Sequence, residues 1–294
     1  MQKTQTAPRR SLLRRHRELP MKVVMTVLLS CFAVLMIVPF VWMISASFKY
    51  ERDVMTIPIQ WIPDNPTWEN YKAVLHIDTS SKDYHFLLAY WNSIKVTVAA
   101  TLVSVLTAMM AGYAFAKLRF PGSNVLFIIY LAQMMVPSQL TLIPRFVMFS
   151  ELELTNTHLS IIAPKLIAVS ATFMMRQAFM GVPNELRESA MIDGASEWRV
   201  WWQIMVPQIK PTVAALATVQ FLDSWNSYLD PLIFLSDWRL RTLPIALNQF
   251  VSEEGTQYNL IAAACCLTVI PVFIIFLCGQ KFFVKGLTVG AVKG

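Results

Sequence analysis

Apolar stretches about as long as a bilayer is thick recur along this chain of 294 residues, and they constrain its fold more than any other feature. A helix needs about 20 apolar residues to cross the hydrocarbon core of a bilayer. Hydrophobic residues make up 55% of the chain and charged residues 15%, whereas soluble domains carry about 25% charged residues. The pattern predicts an all-α, polytopic membrane protein.

Six transmembrane helices are predicted from these stretches, with approximate bounds 23–48, 94–115, 125–143, 159–175, 212–235 and 260–283. Residues 1–22 form a basic tail ahead of them. The first apolar run is too long for the apolar region of a cleaved signal peptide, so we expect it to be retained. Residues 23–294 are then one transmembrane domain, since the connecting loops are too short to form a separate soluble domain.

The distribution of lysine and arginine predicts the orientation of these helices. With the amino terminus inside, the inner segments hold 16 of these residues and the outer loops hold 7. Positive residues accumulate on the cytoplasmic side of membrane proteins. We therefore expect both termini, and the polar loop 181–211 between the fourth and fifth helices, to be cytoplasmic.

Loop 181–211 has the sequence punctuation of two short helices. Asn184 is a predicted N-cap, Gly194 a predicted helix stop, and Ser196 the N-cap of the next helix. Four apolar residues then follow at helical spacing: Trp198, Trp201, Trp202 and Met205. This spacing predicts a single apolar stripe on a helix that lies along the membrane face.

Several kinds of site are not predicted. The cysteines all fall inside apolar runs, which favours packing roles over a disulfide framework. The histidines are scattered over separate loops and the tail, so we predict no metal site. The chain contains no G-x4-G-K-[ST] pattern, and we expect any nucleotide site to lie on another chain.

A spaced motif inside loop 181–211 points to a family. From Glu188 the chain reads E-S-A, three residues, G, nine residues and then I-x-V-P. This resembles the E-A-A-x3-G-x9-I-x-L-P loop of permease subunits in binding-protein-dependent ABC importers. Ser189 stands where the family usually has alanine, and Val206 where it has leucine.

Other stretches extend the resemblance from about residue 20 to the end of the chain. They are AGYAFAKLRFPG at 111–122, VPSQLTLIPRF at 136–146, VPNELRESAMIDGAS at 182–196, WNSYLDPLIFLSD at 225–237 and the terminal GLTVGAVKG. Together they are similar to the carbohydrate-uptake branch, and to the second, six-span permease of maltose-type and glycerol-phosphate-type systems.

The resemblance implies a transport subunit of a bacterial or archaeal cytoplasmic membrane without catalytic chemistry or a cofactor of its own. It implies four kinds of partner: a second homologous permease, two ATP-binding subunits that hold ATP and Mg²⁺, an extracytoplasmic solute-binding protein and a sugar. By the family pattern, loop 181–211 couples the permease to the ATPase, and the residues implied in that contact are Glu185, Glu188, Ala190, Asp193, Gly194, Ile204 and Pro207.

The translocation path has its own candidate residues, and most of them lie in the fifth predicted span. Asp223 and Asn226 are candidates to bond sugar hydroxyls, and Trp225 and Tyr228 to stack on sugar faces; Gln133 on the third span is a further candidate. Ionisable residues at membrane depth usually face a bundle interior or a watery cavity. Hydrogen bonds between helices are the alternative role for the amides.

An ion-coupled secondary sugar transporter is the alternative function. Such a protein is expected to carry buried carboxylates or histidines in several spans and to show an internal repeat. Only the fifth span of this chain is acidic, and no duplicated half is evident. The sequence therefore favours the ABC permease.

Overall fold

The computed structural model describes residues 10–76, 85–252 and 255–291. The start of the predicted basic tail and Lys293 in the family-like ending lie outside the described residues. In chain order the helices are α1 (Arg10–Ser47), α2 (Glu51–Val54), α3 (Glu69–His76), α4 (Phe86–Lys117), α5 (Ser123–Ala132), α6 (Leu142–Glu151), α7 (Leu159–Ile162), α8 (Val169–Met180), α9 (Glu185–Ile192), α10 (Glu197–Arg199), α11 (Val206–Gln208), α12 (Lys210–Trp225), α13 (Leu229–Phe234), α14 (Leu243–Leu247) and α15 (Tyr258–Ala291).

Shorter helical segments connect several of these helices. Four 3₁₀ turns cover Gln133–Met135, Ala163–Leu166, Trp238–Leu240 and Asn248–Phe250, and a π-helix covers Val200–Met205. One antiparallel pair departs from the all-α prediction: β1 (Val251–Ser252) and β2 (Gly255–Thr256), with Val251 opposite Thr256. All other regular elements in the described residues are helical.

Among the described residues, four helical segments are long and apolar enough to cross a membrane: Met21–Ser47, Phe86–Lys117, Leu159–Met180 and Tyr258–Lys281. They fall on the first, second, fourth and sixth predicted spans. The first and last helices both extend beyond the predicted bounds, since α1 begins at Arg10 and α15 continues to Ala291. The polytopic prediction is confirmed, whereas the number six and the orientation of the termini stay predictions.

The third predicted span, 125–143, is not one continuous helix. The apolar helix ends at Met135, and the chain turns before α6 begins at Leu142. Pro137 accounts for the break, because the residue before a proline avoids the α region. Val136 accordingly has an extended backbone, with φ −89° and ψ 114°.

The fifth predicted span, 212–235, is also broken. α12 ends at Trp225, and α13 begins at Leu229. Pro231 has no N–H to bond the carbonyl four residues earlier, so the helical ladder is interrupted there. The Nδ2 of Asn226 donates to the carbonyl of Leu222 at 2.9 Å and satisfies an acceptor at the end of α12.

The described residues divide into two compact units. In the first unit, residues 10–71 and Gln257–Cys266, the end of α1 is fixed by buried amides. The Nδ2 of Asn70 donates to the carbonyls of Ser47 (2.9 Å) and Lys49 (2.7 Å). The Nδ2 of Asn259 in turn donates to the Oδ1 of Asn70 at 2.8 Å. These bonds pair backbone groups that α1 would otherwise leave unsatisfied.

In the second unit, α4 packs against α8 and α12. Gly112 allows the closest approach, because a Cβ built at this position would lie 2.6 Å from the Cβ of Met175 and 2.8 Å from the backbone nitrogen of Arg176. On another face of α4, the Oγ of Ser104 donates to the Oε1 of Gln220 at 3.1 Å. A bilayer cannot pair these polar groups, so the helices pair them with each other.

The stretch 237–252, between α13 and α15, also belongs to this second unit. It packs on the start of α4, where the Nδ2 of Asn92 donates to the carbonyls of Arg239 (2.8 Å) and Arg241 (3.2 Å). The Oγ of Ser93 accepts from the backbone N–H of Leu243 at 2.7 Å. The loop is therefore an ordered structure on the membrane helices up to Phe250.

Candidate functional site

Loop 181–211 forms two helices around a glycine turn, as its punctuation predicts. Gly194 has φ +82°, a left-handed conformation that favours glycine. Ser196 caps the second helix, since its Oγ accepts from the backbone N–H of Arg199 at 3.4 Å. Asn184 stands at the N-cap position of α9, but its Oδ1 instead accepts from the Nζ of Lys117 at 2.6 Å.

An ion pair fastens the two helices of this loop together. The Nε and Nη2 of Arg187 in α9 donate to the two carboxylate oxygens of Glu197 in α10, each at 2.8 Å. The hydroxyl of Tyr113 in α4 donates to the same carboxylate. Glu197 therefore joins both loop helices to the end of a membrane-spanning helix.

The environment of this ion pair favours its charged forms. The hydrogen bond from Arg187 holds the pKa of the Glu197 carboxyl below its usual range, against the opposing effect of burial. The same bond raises the pKa of Arg187 above its usual value. Both groups are thus ionised near neutral pH.

A second contact holds the beginning of the loop to the same helix. The Nζ of Lys117, the last residue of α4, donates to the carbonyl of Val182 at 2.6 Å as well as to Asn184. A hydrophobic cluster continues from the spans into the loop and includes Met175, Phe179, Val200, Trp201 and Met205. The loop is therefore a packed extension of the membrane helices.

The residues implied in ATPase contact divide into two groups. Glu185, Glu188, Asp193 and Gly194 are exposed, whereas Ala190 is buried and Ile204 and Pro207 are half-buried. Exposed apolar side chains lie beside the acidic ones: Leu186, Met191 and Ile192, the last with 86% of its surface exposed. The end of α9 thus presents a mixed acidic and apolar surface, and the buried residues face the protein.

The tryptophan stripe predicted from α-helical spacing is not a single face. Trp201 and Met205 are buried, whereas Trp198 and Trp202 are exposed. Residues 200–205 form a π-helix, whose i→i+5 hydrogen bonds change the angular spacing of the side chains. The three indoles still contact one another, with ring centroids of Trp198 and Trp201 4.7 Å apart and those of Trp201 and Trp202 5.5 Å apart.

A cavity of about 820 Å³ is the second candidate site. Its wall comes from residues around the breaks in the third, fourth and fifth predicted spans, at 138–145, 164–170 and 219–230. Irregular backbone is tolerated at membrane depth where it is buried in protein or lines a watery space. The breaks in the three spans therefore lie together around one cavity, where the backbone N–H and C=O groups that they free can find hydrogen-bond partners.

Two ion pairs cross this cavity wall. Lys165 pairs with Asp223, and Arg145 pairs with Asp230. The guanidinium of Arg145 also lies 5.0 Å from the ring centroid of Phe234. Each pair connects one side of the break in the fifth span to a neighbouring segment.

The cavity contains three of the five residues predicted for the path: Asp223, Asn226 and Tyr228. Trp225 lies behind the wall, 2% exposed, and its ring stacks on Phe221 and meets Tyr90 edge-on. The packing explains why its indole offers no face to a ligand here. Gln133 is exposed on the 3₁₀ turn after α5, outside the lining.

Metal ligands do not gather anywhere in the part of the chain that the structure describes. Groups of three or more histidine, cysteine, aspartate or glutamate side chains with suitable geometry are absent from those residues. The described cysteines are free thiols.

Residues 104–289 match the family described as binding-protein-dependent transport system inner membrane component. This chain belongs to that family. The matched region contains the whole of loop 181–211 and every residue that lines the cavity. The chain is accordingly a multi-pass inner-membrane permease of an ABC importer.

Relatives of known name cover nearly the whole chain. An arabinooligosaccharides transport system permease protein of Halalkalibacterium halodurans is 34% identical over 276 residues, which are 92% of this chain and 96% of that protein. An sn-glycerol-3-phosphate transport system permease protein of Yersinia enterocolitica is 32% identical over 250 residues, 84% and 89% of the two chains.

A solved structure shares the fold. A chain of a bacterial ABC transporter involved in the import of the acidic polysaccharide alginate superposes with a TM-score of 0.80, at 23% identity, over 95% of this chain and all of that one. The agreement concerns the fold alone. The matched 95% of this chain includes residues of both compact units.

Several residues of the two sites were missed by reasoning from the sequence. Arg187 and Glu197 gave no signal beyond their charge. They are ten residues apart in the chain, and only the fold brings the guanidinium of Arg187 to the carboxylate of Glu197. Lys165 was not among the candidate residues, yet it pairs with Asp223. A lysine and an aspartate in separate apolar spans were the available signal, because charges at membrane depth usually pair.

Proposed function

We propose that this protein is a permease subunit of an ATP-driven sugar importer, and that loop 181–211 couples it to a separate ATPase. One observation carries the proposal: the acidic and apolar end of α9 is exposed, while its other side is fixed to α4 through Arg187, Glu197 and Tyr113. A surface that is free on one side and rigidly attached on the other suits the transmission of force.

The chemistry of the exposed surface indicates the partner. Ile192 and Met191 are apolar side chains that docking in a cleft would remove from water. Glu188 beside them would form a charged hydrogen bond to a basic group of the ATPase, a bond worth about 1.5–3 kcal/mol. Gly194 supplies the tight turn that returns the chain to the membrane.

The partners follow from the family. We propose that a second homologous permease completes the translocation path, that two ATP-binding subunits carrying ATP and Mg²⁺ dock below, and that a solute-binding protein delivers the sugar from outside. This arrangement requires both termini and loop 181–211 to be cytoplasmic. Six passes, three of them through broken helices, would give that orientation.

The cavity forms this subunit's share of the path. Broken helices at membrane depth commonly form the substrate site of a transporter. Asp223, Asn226 and Tyr228 line the cavity and offer oxygen and nitrogen atoms to sugar hydroxyls. The relatives named above act on arabinooligosaccharides and sn-glycerol-3-phosphate, which supports a carbohydrate or polyol substrate.

Transport would then proceed by alternating access. Closure of the ATPase dimer would bring the two permease loops together, and the attached spans would move as packed bodies. In this chain the moving lever is α9, and the force reaches α4 through Glu197 and Lys117. Hydrolysis would reset the path inward.

Glu188→Lys tests the coupling role. We expect the variant to insert at normal levels and the complex to lose most of its sugar uptake, because the substitution places a cation opposite the basic group of the ATPase. The measurement is uptake and ATP hydrolysis by the assembled importer in proteoliposomes. Glu151→Lys, the same change at an exposed residue outside the loop, is the matched control. Normal coupled uptake by Glu188→Lys would contradict the proposed docking.

A further inference from the structure

The charges that line the cavity cancel. Among the described residues, the formally charged side chains that line the cavity are two basic and two acidic ones: Arg145, Lys165, Asp223 and Asp230. The chain as a whole carries a net charge of +7, so this balance is a local property of the cavity. The other lining residues are neutral, and many of them are polar.

Each cavity cation already has a carboxylate partner. The Lys165 and Arg145 side chains are only 22% and 19% exposed in their ion pairs, and those of their partners Asp223 and Asp230 are 59% and 25% exposed. Arg145 is held further by its position over the ring of Phe234. The two cations are thus fixed in place and are not free anchors for an incoming anion.

An anionic solute would meet an unfavourable site. At Lys165 or Arg145, a phosphate or a uronate would either displace an aspartate or lie beside it, and in both cases the aspartate stays in the cavity next to the anion. Separation of the half-buried Arg145–Asp230 pair leaves one partner unpaired, which is unfavourable. Solvent screens the Lys165–Asp223 pair more strongly, because Asp223 is 59% exposed, so its separation costs less. Such unpaired charges are a recognised way in which a site rejects the wrong ligand.

An uncharged polyhydroxylated solute meets matching groups instead. Gln139, Ser138, Ser170 and Ser227 contribute neutral donors and acceptors to the wall. The hydroxyl oxygen of Tyr228 accepts from the Nδ2 of Asn248 at 2.7 Å, which orients its own O–H toward another acceptor. The outer oxygens of the two aspartates can accept further hydrogen bonds from hydroxyls without losing their cations.

We infer that the cavity selects uncharged sugars, such as neutral oligosaccharides, over phosphorylated or uronic-acid substrates. This inference rests on the proposed sugar-import function. The relatives do not decide the point, since their names include a neutral oligosaccharide and a phosphate ester, and the structural neighbour imports an acidic polysaccharide.

The test is direct binding to the assembled permease–ATPase complex in nanodiscs, without any solute-binding protein. Saturation-transfer NMR detects weak binding, and the probes are arabinotriose, trigalacturonate and glycerol 3-phosphate at equal concentration. We expect a signal from arabinotriose that exceeds both anionic probes by roughly tenfold, because an anion placed beside a half-buried carboxylate costs about as much as a tenfold change in affinity.

Two variants distinguish the effect of the cavity charges on solute preference from the effect of other contacts to the solute. Asp223→Asn leaves Lys165 without its carboxylate, so the preference should shift toward trigalacturonate or glycerol 3-phosphate. The double variant Lys165→Met with Asp223→Asn removes both charges and should restore the neutral preference. Asp53→Asn, which removes an exposed carboxylate that pairs with Arg52 at 3.6 Å outside the cavity, is the matched control and should behave as the parent.

The binding results test the selectivity of the cavity, and they can be told apart from a failure of the proposed import function. Equal or stronger binding of an anionic probe by the parent complex overturns the inference, as does an unchanged preference in Asp223→Asn. Absence of signal from all three probes also overturns it, because the cavity then holds none of these solutes. Coupled, ATP-dependent uptake, measured separately, would still support the proposed function in each of those cases.

Discussion

At the residue scale, Glu197 is the side chain on which the order of loop 181–211 depends most. It accepts from Arg187 through both carboxylate oxygens and from Tyr113, so one carboxylate connects two loop helices and a span. Such bidentate, charge-assisted contacts are among the stronger hydrogen bonds in proteins. Partial exposure of both side chains weakens the pair by solvent screening.

Glu197→Gln should destabilise the permease by about 1–3 kcal/mol at neutral pH, since it leaves Arg187 half-buried without an ionised partner. Thermal unfolding of the detergent-solubilised protein measures the change. Glu151→Gln, at an exposed helical position, should leave the unfolding temperature unchanged.

The stability difference between the parent and Glu197→Gln should depend on pH. Because the folded-state pKa of Glu197 is lowered, its contribution is fully present above the unfolded value of about 4.3 and is lost as the pH falls through the lower folded value. Unfolding temperatures measured from neutral pH downward should therefore converge only in acid. A constant gap down to about pH 3 would show that the carboxylate charge is not responsible.

At the element scale, the approach of α4 and α8 determines how the spans pack. Gly112 sits where any side chain meets the backbone of α8, and Lys117 at the end of α4 holds the start of the loop. α4 thus contacts both α8 and the start of loop 181–211.

Gly112→Ala should destabilise the second unit by about 1–3 kcal/mol, because the new methyl group overlaps Met175 and the backbone of α8 at 2.6–2.8 Å. Gly181→Ala is the matched control, since its methyl group would approach the Ala178 carbonyl oxygen at an ordinary 3.4 Å. Fluorescence-detected size-exclusion after heating compares the two. Equal thermal stability in both variants would contradict the close-packing argument.

At the scale of the whole molecule, the source of energy distinguishes the proposed importer from an ion-coupled transporter. Family membership gives the permease assignment. The four cavity charges are paired within this chain, which does not resemble the free carboxylate expected of a proton carrier.

Uptake into proteoliposomes that contain the full set of subunits should require internal ATP and should be inhibited by vanadate. It should persist when a protonophore collapses the proton gradient, because ATP hydrolysis on the partner subunits supplies the energy. Omission of the ATPase subunits is the control. Uptake driven by an imposed proton or sodium gradient without ATP would instead support secondary transport.

The sequence by itself determined the membrane class, the apolar spans, the loop and the family. Hydropathy and charge distribution are local properties, and a bilayer imposes them on each segment separately. The motif from Glu188 to Pro207 and the glycine turn at Gly194 were likewise readable in order along the chain.

Only the tertiary structure decided which side chains meet. The pairs of Lys165 with Asp223 and Arg187 with Glu197 depend on how separate helices pack, and the burial of Trp225 depends on Tyr90 in another helix. The breaks at Pro137 and Pro231 were visible as prolines, but a proline in a span either bends or ends a helix. The structure decides for an end in both cases, since Val136 is extended before Pro137 and a new helix begins at Leu229 before Pro231.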